Sequence, residues 1–192
     1  MTLAGYKTLS SNYPLGTSEE VKHLIGGRVN AGWITNTCAI RLCRSLNYAA
    51  DEHKIPKEAG LNTVSGDDKL LYAYRVREMK TFLQKRYGLP HVTENAVNGV
   101  VDRSKFNAKN GIICFDVEGW ADATGHFTLW DGSNLLYSGG MIIFLLRRIK
   151  CKPRKRICGN AQSINNFILC QVTYQQQYHY PSNNLSERLS LL

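Results

Sequence analysis

A helical stretch with a cysteine at its first position is the feature that most constrains this chain. Asn36 and Thr37 are helix-capping residue types, because their side-chain oxygens accept hydrogen bonds from the free N–H groups of a first turn. The stretch that follows, through Ala50, contains neither Gly nor Pro, and apolar residues recur at every fourth position from Cys38. The sequence therefore predicts a helix of about three turns that begins at Cys38.

The position of Cys38 allows two interpretations. The partial positive charge of a helix N-terminus favours the thiolate, and a paired histidine can bring the thiol pKa from about 8.5 down to roughly 3.5–7.5. Burial as a small hydrophobic side chain is the commoner fate of cysteine. Taken alone, this helix favours the buried, structural cysteine, and a partner histidine is needed to favour a nucleophile.

The charge of the chain is divided unevenly. Its 192 residues suffice for one domain with a sizeable core, and the net charge is +9. Residues 1–140 carry 16 Lys and Arg against 14 Asp and Glu, whereas residues 141–192 carry 8 against 1. We therefore predict a domain over 1–140 and a divergent basic tail over 141–192. A strand with a basic extension, disorder and an artefact of the gene model each explain such a tail, and the loss of acidic residues favours the artefact.

Several function classes are disfavoured by the composition. The polar N-terminus lacks the apolar region of a Sec-type signal peptide. The longest wholly apolar run, 141–146, is far shorter than the about 20 residues of a membrane-spanning helix. The cysteines form no CxxC pair, so we expect neither metal nor cofactor. Basic residues that could contact nucleic acid cluster only at 147–156, and we expect no nucleic-acid partner.

The second half of the chain predicts a small sheet. Residues 111–117 and 126–130 read as strands, the second closed by an Asp131-Gly132 turn, and a third strand begins at Leu135. Residues 75–87 form a further helix that ends before Gly88 and Pro90. Helices followed by an antiparallel meander predict an α+β fold with the helices on one side of the sheet.

His126, at the start of the second strand, is the candidate partner of Cys38. It follows Cys38 by 88 residues, and a helix-start cysteine followed by a strand histidine is the chain order of papain-like hydrolases. In that chemistry the thiolate attacks a carbonyl carbon, and the imidazole takes the thiol proton and later delivers it to the leaving amine. The spacing by itself is a weak signal.

Ordered motifs across roughly residues 13–140 carry a more specific signal. They include Ile25-Gly26-Gly27-Arg28-Val29, Asn36-Thr37-Cys38-Ala39-Ile40-Arg41-Leu42, Asp122-Ala123-Thr124-Gly125-His126 and Leu129-Trp130-Asp131-Gly132. In these motifs the chain resembles the fourth family of type VI secretion amidase effectors, in the NlpC/P60-like branch of papain-fold enzymes. The resemblance ends near Gly140.

The resemblance implies a function as well as a fold. It implies a papain-like cysteine amidase that cuts peptidoglycan stem peptides between D-glutamate and diaminopimelate, with Cys38 as nucleophile and His126 as base. Such proteins are injected into the periplasm of a neighbouring bacterium, and a cognate immunity protein protects the producer. The alternative is a non-catalytic binding protein that retains a degenerate papain-like cleft.

One departure from the family leaves the third catalytic residue open. The family carries an aspartate eleven residues after the histidine, where this chain has Tyr137, and its flanking cysteines correspond to Leu135 and Gly139. Asp131 is the nearest carboxylate in sequence, but five residues of extended strand span about 16 Å. The sequence therefore names no residue that orients His126.

Overall fold

The computed structural model describes residues 1–95, 101–117, 125–137 and 165–172. The helices of this part are α1 (Tyr6–Ser11), α2 (Ser18–Ile25), α3 (Cys38–Asn47) and α4 (Val76–Tyr87). Its strands are β1 (Thr63–Ser65), β2 (Leu71–Ala73), β3 (Val92–Asn95), β4 (Asn110–Val117), β5 (Gly125–Trp130) and β6 (Asn165–Val172). The predicted α+β class is confirmed, and none of the described helices is long and apolar enough to cross a membrane.

Helix α3 forms the centre of the core. Nearly all of its residues are buried, because α1, β2 and β5 all pack around it. Polar contacts fix its C-terminal half: the Asn47 side chain donates to the Leu71 carbonyl at 2.9 Å and accepts from the Ile55 N–H at 2.8 Å. The Cys43 thiol accepts from the Ala73 N–H at 3.2 Å. The bonds to Leu71 and Ala73 hold β2 against α3.

Two small sheets accompany the helices. β1 and β2 pair antiparallel, and a four-stranded sheet has the order β3-β6-β4-β5. The predicted antiparallel pairing of β4 with β5 is confirmed. β6 instead runs parallel to both β3 and β4, so the larger sheet is mixed and not the simple meander that the sequence predicted.

Among the described residues, only the start of the predicted third strand is present. Leu135 forms an isolated bridge with Trp130, and the Leu136 N–H donates to the Leu129 carbonyl at 2.8 Å. Residues 138–140, where the prediction continued, lie outside the described residues. The free edge of β4 is covered by β6, a pairing between distant segments that local periodicity could not reveal.

Strand β6 comes from the segment that the sequence assigned to a basic tail. Residues 165–172 pair with β3 on one side and β4 on the other, a strand that the sequence did not predict. The apolar run 141–146, where a strand was one explanation, lies outside the described residues. The basic run 147–156 and the remaining tail lie outside the described residues. The division of the chain at residue 140 stays a prediction.

Candidate active site

The first turn of α3 is capped by Asn36. Its side-chain oxygen accepts the Cys38 N–H at 3.0 Å, which satisfies one of the free donors of the helix N-terminus. Thr37, the other predicted capping residue, makes no capping bond. Its hydroxyl instead donates to the Ser18 hydroxyl at 3.1 Å and accepts from Arg41 at 3.2 Å, so it ties α2 to α3.

Cys38 packs against β5, directly beside the predicted histidine. Only 2% of the cysteine is exposed, and its sulfur accepts a hydrogen bond from the backbone N–H of Phe127, the residue after His126. Packing of α3 on β5 therefore brings Cys38 to the backbone of the residue that follows His126, although the two predicted site residues are 88 positions apart in the sequence. Cys38 is a free thiol in this structure.

Burial dominates the electrostatics of Cys38. Desolvation raises the pKa of its thiol to about 11, although the N–H groups of Phe127 and Ala39, the positive charge of Arg41 and its own N–H all act to lower it. Of the two interpretations of Cys38, burial describes this state of the protein, and the pKa of its thiol is raised. The helix N-terminus acts in the predicted direction, but the loss of water around the sulfur outweighs it.

His126 is also buried and neutral. It is 7% exposed, and desolvation lowers the pKa of its imidazole to about 4, with a further lowering by Arg41. A hydrogen bond to the backbone carbonyl of Tyr137 acts in the opposite direction. Among the described residues its Nε2 has no hydrogen-bond partner, so the donor to Tyr137 is Nδ1. The Nε2 lone pair remains available as a base, and it is not bonded to the Cys38 thiol.

The main chain of Tyr137 supplies the hydrogen-bond acceptor for His126, a group that the sequence could not assign. Its carbonyl accepts from the imidazole, while its own N–H donates to the Thr128 hydroxyl at 3.0 Å. Its ring stacks on that of His126 with 6.0 Å between centroids and 27° between planes. A carbonyl fixes the imidazole tautomer but carries no full charge to stabilise an imidazolium.

Asp131 does not serve His126. One of its carboxylate oxygens accepts the N–H groups of Ser133 at 2.7 Å and Asn134 at 2.6 Å, so it closes the turn after β5. This placement agrees with the about 16 Å of extended strand that separates Asp131 from His126.

Gly125 allows the strand that carries His126 to lie close to its neighbour. A β-carbon at this position would lie 2.2 Å from the Phe115 carbonyl oxygen and 3.3 Å from a Val76 methyl group. The group that approaches Gly125 is the backbone of β4.

Sequence reasoning missed Tyr13 and Arg41. The buried Tyr13 hydroxyl donates to the Phe127 carbonyl at 3.4 Å, and burial raises the pKa of this phenol above its usual value. Arg41 is fully buried one turn after Cys38. A signal for Arg41 existed, because a cation three residues after Cys38 lies on the same side of the helix as the cysteine. Within the described part of the chain, no cluster of His, Cys, Asp and Glu could hold a metal ion.

Comparison with known proteins places this geometry in context. The family model described as "Type VI secretion system (T6SS), amidase effector protein 4" matches residues 34–181. This match extends past Gly140, where we ended the resemblance from the sequence, and it includes β6. No curated protein matches the sequence significantly.

Solved structures of similar proteins agree with the family match. The type VI effector Tae4 from Enterobacter cloacae is 32% identical with a TM-score of 0.63, over 71% of this chain and 87% of that chain. The Tae4–Tai4 effector–immunity complex from the same organism gives 32% identity and a TM-score of 0.63, over 70% and 84%. The Tae4–Tai4 complex from Salmonella Typhimurium gives 29% and 0.62, over 70% and 87%.

Proposed function

This chain belongs to the amidase effector protein 4 family of the type VI secretion system, and from this membership we propose that it is a cysteine amidase that hydrolyses peptidoglycan stem peptides. The observation that carries the proposal is the position of the Cys38 thiol. It lies at a helix N-terminus, and its sulfur accepts a hydrogen bond from the backbone N–H of Phe127, the residue after His126. A helix-start cysteine packed on a strand histidine, in an α+β chain, also supports a papain-like fold of the NlpC/P60 type.

The proposed reaction uses Cys38 as nucleophile and His126 as base. Nε2 takes the thiol proton, and the sulfur attacks the carbonyl carbon of the scissile amide to give a tetrahedral intermediate. Its collapse breaks the C–N bond, and the proton passes from Nε2 to the leaving amine. Water then attacks the thioester with the imidazole again as base, which releases the acid product and restores the thiol. The dipole of α3 favours negative charge on the sulfur and on the oxyanion.

The hydrogen bond from Nδ1 to Tyr137 supports the role of His126 as base. With Nδ1–H bonded to a carbonyl, the neutral tautomer that keeps its lone pair on Nε2 is favoured. Proton transfer from Cys38 must create a thiolate and an imidazolium in a buried site, which costs free energy. We therefore expect substrate binding to alter the surroundings of this pair before attack, because catalytic hydrogen bonds often tighten only in the complex.

The scissile bond that we propose is the amide between D-glutamate and meso-diaminopimelate, as the family resemblance implies. We further propose delivery by injection into the periplasm of a target bacterium, where this substrate lies. Relatives solved as Tae4–Tai4 complexes are bound to an immunity protein. By analogy, a cognate immunity protein is the expected protein partner of this chain.

Two observations favour the second candidate, a binding protein with a degenerate cleft. The pKa of Cys38 is raised to about 11, and a tyrosine stands where the family has its aspartate. Such a protein would bind stem peptides without turnover.

Muropeptide analysis separates the two candidates. Purified wild type is added to diaminopimelate-type peptidoglycan, and the products are separated and identified by mass. The amidase proposal expects new N-terminal diaminopimelate products from wild type and none from Cys38→Ser. An unchanged profile from folded wild type, with retention of the protein on the polymer, would overturn it in favour of the binding protein.

A further inference from the structure

We propose that Arg41 is a positioning residue for the Cys38–His126 pair, because it fixes the Tyr137 ring and thereby the main-chain carbonyl that holds the imidazole. This inference rests on the proposed function and adds to it a residue that touches neither substrate nor the reacting atoms. The chain would thus hold its histidine through a carbonyl and a cation, where the family resemblance implies a carboxylate.

The environment of Arg41 is unusual for a buried cation. Its guanidinium donates to the carbonyls of Pro14 and Gly16, each at 2.8 Å, and to the Thr37 hydroxyl at 3.2 Å. Among the described residues no carboxylate forms an ion pair with it. The Glu20 carboxyl, whose pKa is lowered first by its hydrogen bonds to Thr17 and also by the charge of Arg41, is a longer-range counter-charge. Burial of a cation without a paired carboxylate still costs free energy, so the hydrogen bonds only partly offset its desolvation. A contribution to folding stability is therefore a weak explanation for a cation at position 41.

The face of the guanidinium meets Tyr137. The Arg41 Cζ lies 4.0 Å from the centroid of the tyrosine ring, a cation–π geometry that is strongest when both groups are desolvated. The same ring stacks on His126, and the Tyr137 N–H is held by the Thr128 hydroxyl. Tyr137 is therefore held at its ring and its N–H, which fixes the position of the Cα from which the carbonyl extends to Nδ1.

The charge of Arg41 also acts on both members of the pair. It lowers the pKa of the Cys38 thiol, which favours the nucleophilic thiolate, whereas it lowers the pKa of His126, which disfavours the imidazolium, so only its effect on Cys38 assists attack. The other titratable groups that face Cys38 are Cys43 on α3 and Tyr13, and both are neutral near pH 7 because burial raises their pKa. Arg41 is thus the cation that acts on the thiol among the described groups.

Arg44 provides a matched control on the same helix. It lies three residues after Arg41. Its Cζ lies 3.6 Å from the ring centroid of Tyr48, so it makes the same cation–π contact away from the site. We compare Arg41→Met and Arg41→Lys with Arg44→Met. For each folded variant we measure kcat and KM for stem-peptide cleavage and the pH dependence of Cys38 alkylation by iodoacetamide, read by peptide mass mapping.

The proposal expects a loss in kcat and not in KM. Arg41→Met should lower kcat by about 10²-fold, on the scale of general-base contributions, and shift the alkylation profile to higher pH. Arg41→Lys retains the charge and should restore the profile, with kcat between wild type and Arg41→Met. Arg44→Met should leave both readouts unchanged. A folded Arg41→Met with wild-type kcat and an unshifted profile would overturn the proposal, as would equal losses in Arg44→Met.

A second pair of variants keeps the proposal testable if Arg41→Met does not fold. Tyr137→Phe retains the ring and should lose less kcat than Tyr137→Leu, which removes the ring but not the carbonyl. Equal activity of the two would refute the coupling through the ring. Failure of the proposed function can be distinguished from failure of this proposal. If the wild type is inactive, the alkylation profile of Cys38 and the tautomer of His126, read by nitrogen NMR, can still be measured. A shift of the tautomer on Arg41→Lys or Tyr137→Leu would support the positioning role without turnover, and a wild-type tautomer in both variants would contradict it.

Discussion

At the scale of single residues, the Cys38–His126 pair is governed by desolvation. The helix N-terminus, three backbone N–H groups and Arg41 act to ionise the thiol, yet its pKa is raised because the side chain has lost its water. His126 is affected by the same cause in the opposite direction, since burial disfavours its cationic form. Both groups are therefore neutral at pH 7 in this state.

Cys38 should consequently react slowly with alkylating agents. With a thiol pKa of about 11, the thiolate fraction at pH 7 is on the order of 10⁻⁴, about a hundredfold below that of an unperturbed cysteine. Between pH 7 and pH 9 the rate should rise about tenfold per pH unit. Mass mapping of Cys38 against time, with the free thiol of a short peptide as reference, checks this. Fast alkylation at pH 6 would contradict the buried resting state.

His126 should make the protein sensitive to acid. The folded pKa of about 4 lies below the unfolded value of 6.5, so between these values the unfolded state binds more protons and stability falls as pH falls. The full shift corresponds to about 3 kcal/mol of unfolding free energy. Urea unfolding at pH 7.5 and pH 4.5 should show a smaller loss in His126→Gln than in wild type. Equal losses would show that the imidazole is not buried in neutral form.

At the scale of elements, the junction between β4 and β5 determines where His126 lies. The two strands pair antiparallel, and Gly125 lies opposite Asp116 at the start of β5. Because a β-carbon at Gly125 would overlap the Phe115 carbonyl, only glycine permits this register without displacement. The position of the base therefore depends on a residue that takes no part in the chemistry.

Gly125→Ala should disturb both stability and activity. Overpacking at a tight site costs about 1–3 kcal/mol, and displacement of β5 should move His126 away from Cys38. Gly32→Ala is the matched control, because a β-carbon at Gly32 would meet nothing within 4 Å. Thermal unfolding and stem-peptide cleavage by both variants check this. If Gly125→Ala behaves like Gly32→Ala, then the close approach of the strands is not as described.

At the scale of the whole molecule, strand β6 joins distant parts of the chain. It lies between β3 and β4, so removing it would leave unpaired edges on both. The family match through residue 181 includes this strand, in agreement with its place in the sheet. The segment that looked foreign by composition therefore supplies an internal strand.

Truncation tests this role of β6. A chain that ends at residue 140 should lose on the order of 5 kcal/mol, since an eight-residue strand exchanges several hydrogen bonds of about 1 kcal/mol each with its neighbours. It should also aggregate through the exposed edges. A chain that ends after Val172 retains β6 and serves as the control. Equal unfolding midpoints for the two would show that residues 1–140 fold independently of the tail, as the sequence suggested.

The sequence alone determined those helix and strand positions whose signal lies in neighbouring residues. The start of α3 at Cys38, the end of α4 before Gly88, and strands β4 and β5 all follow from periodicity, glycine and turn residues. The resemblance to the family, which the comparisons confirm, follows from ordered motifs. The candidate pair Cys38 and His126 was also identified from the sequence, and its catalytic role stays a prediction.

Tertiary structure decided the remainder, because it depends on what surrounds each group. The sign of the Cys38 pKa shift follows from burial, which no spacing in the sequence reveals. The acceptor for His126 is a main-chain carbonyl, a group that every residue possesses and that only folding selects. The parallel pairing of β6 with β3 and β4 joins segments about 50 to 80 residues apart, so strand periodicity cannot encode it. The cation at Arg41 acquires its partners only when α3, the N-terminal segment and Tyr137 meet.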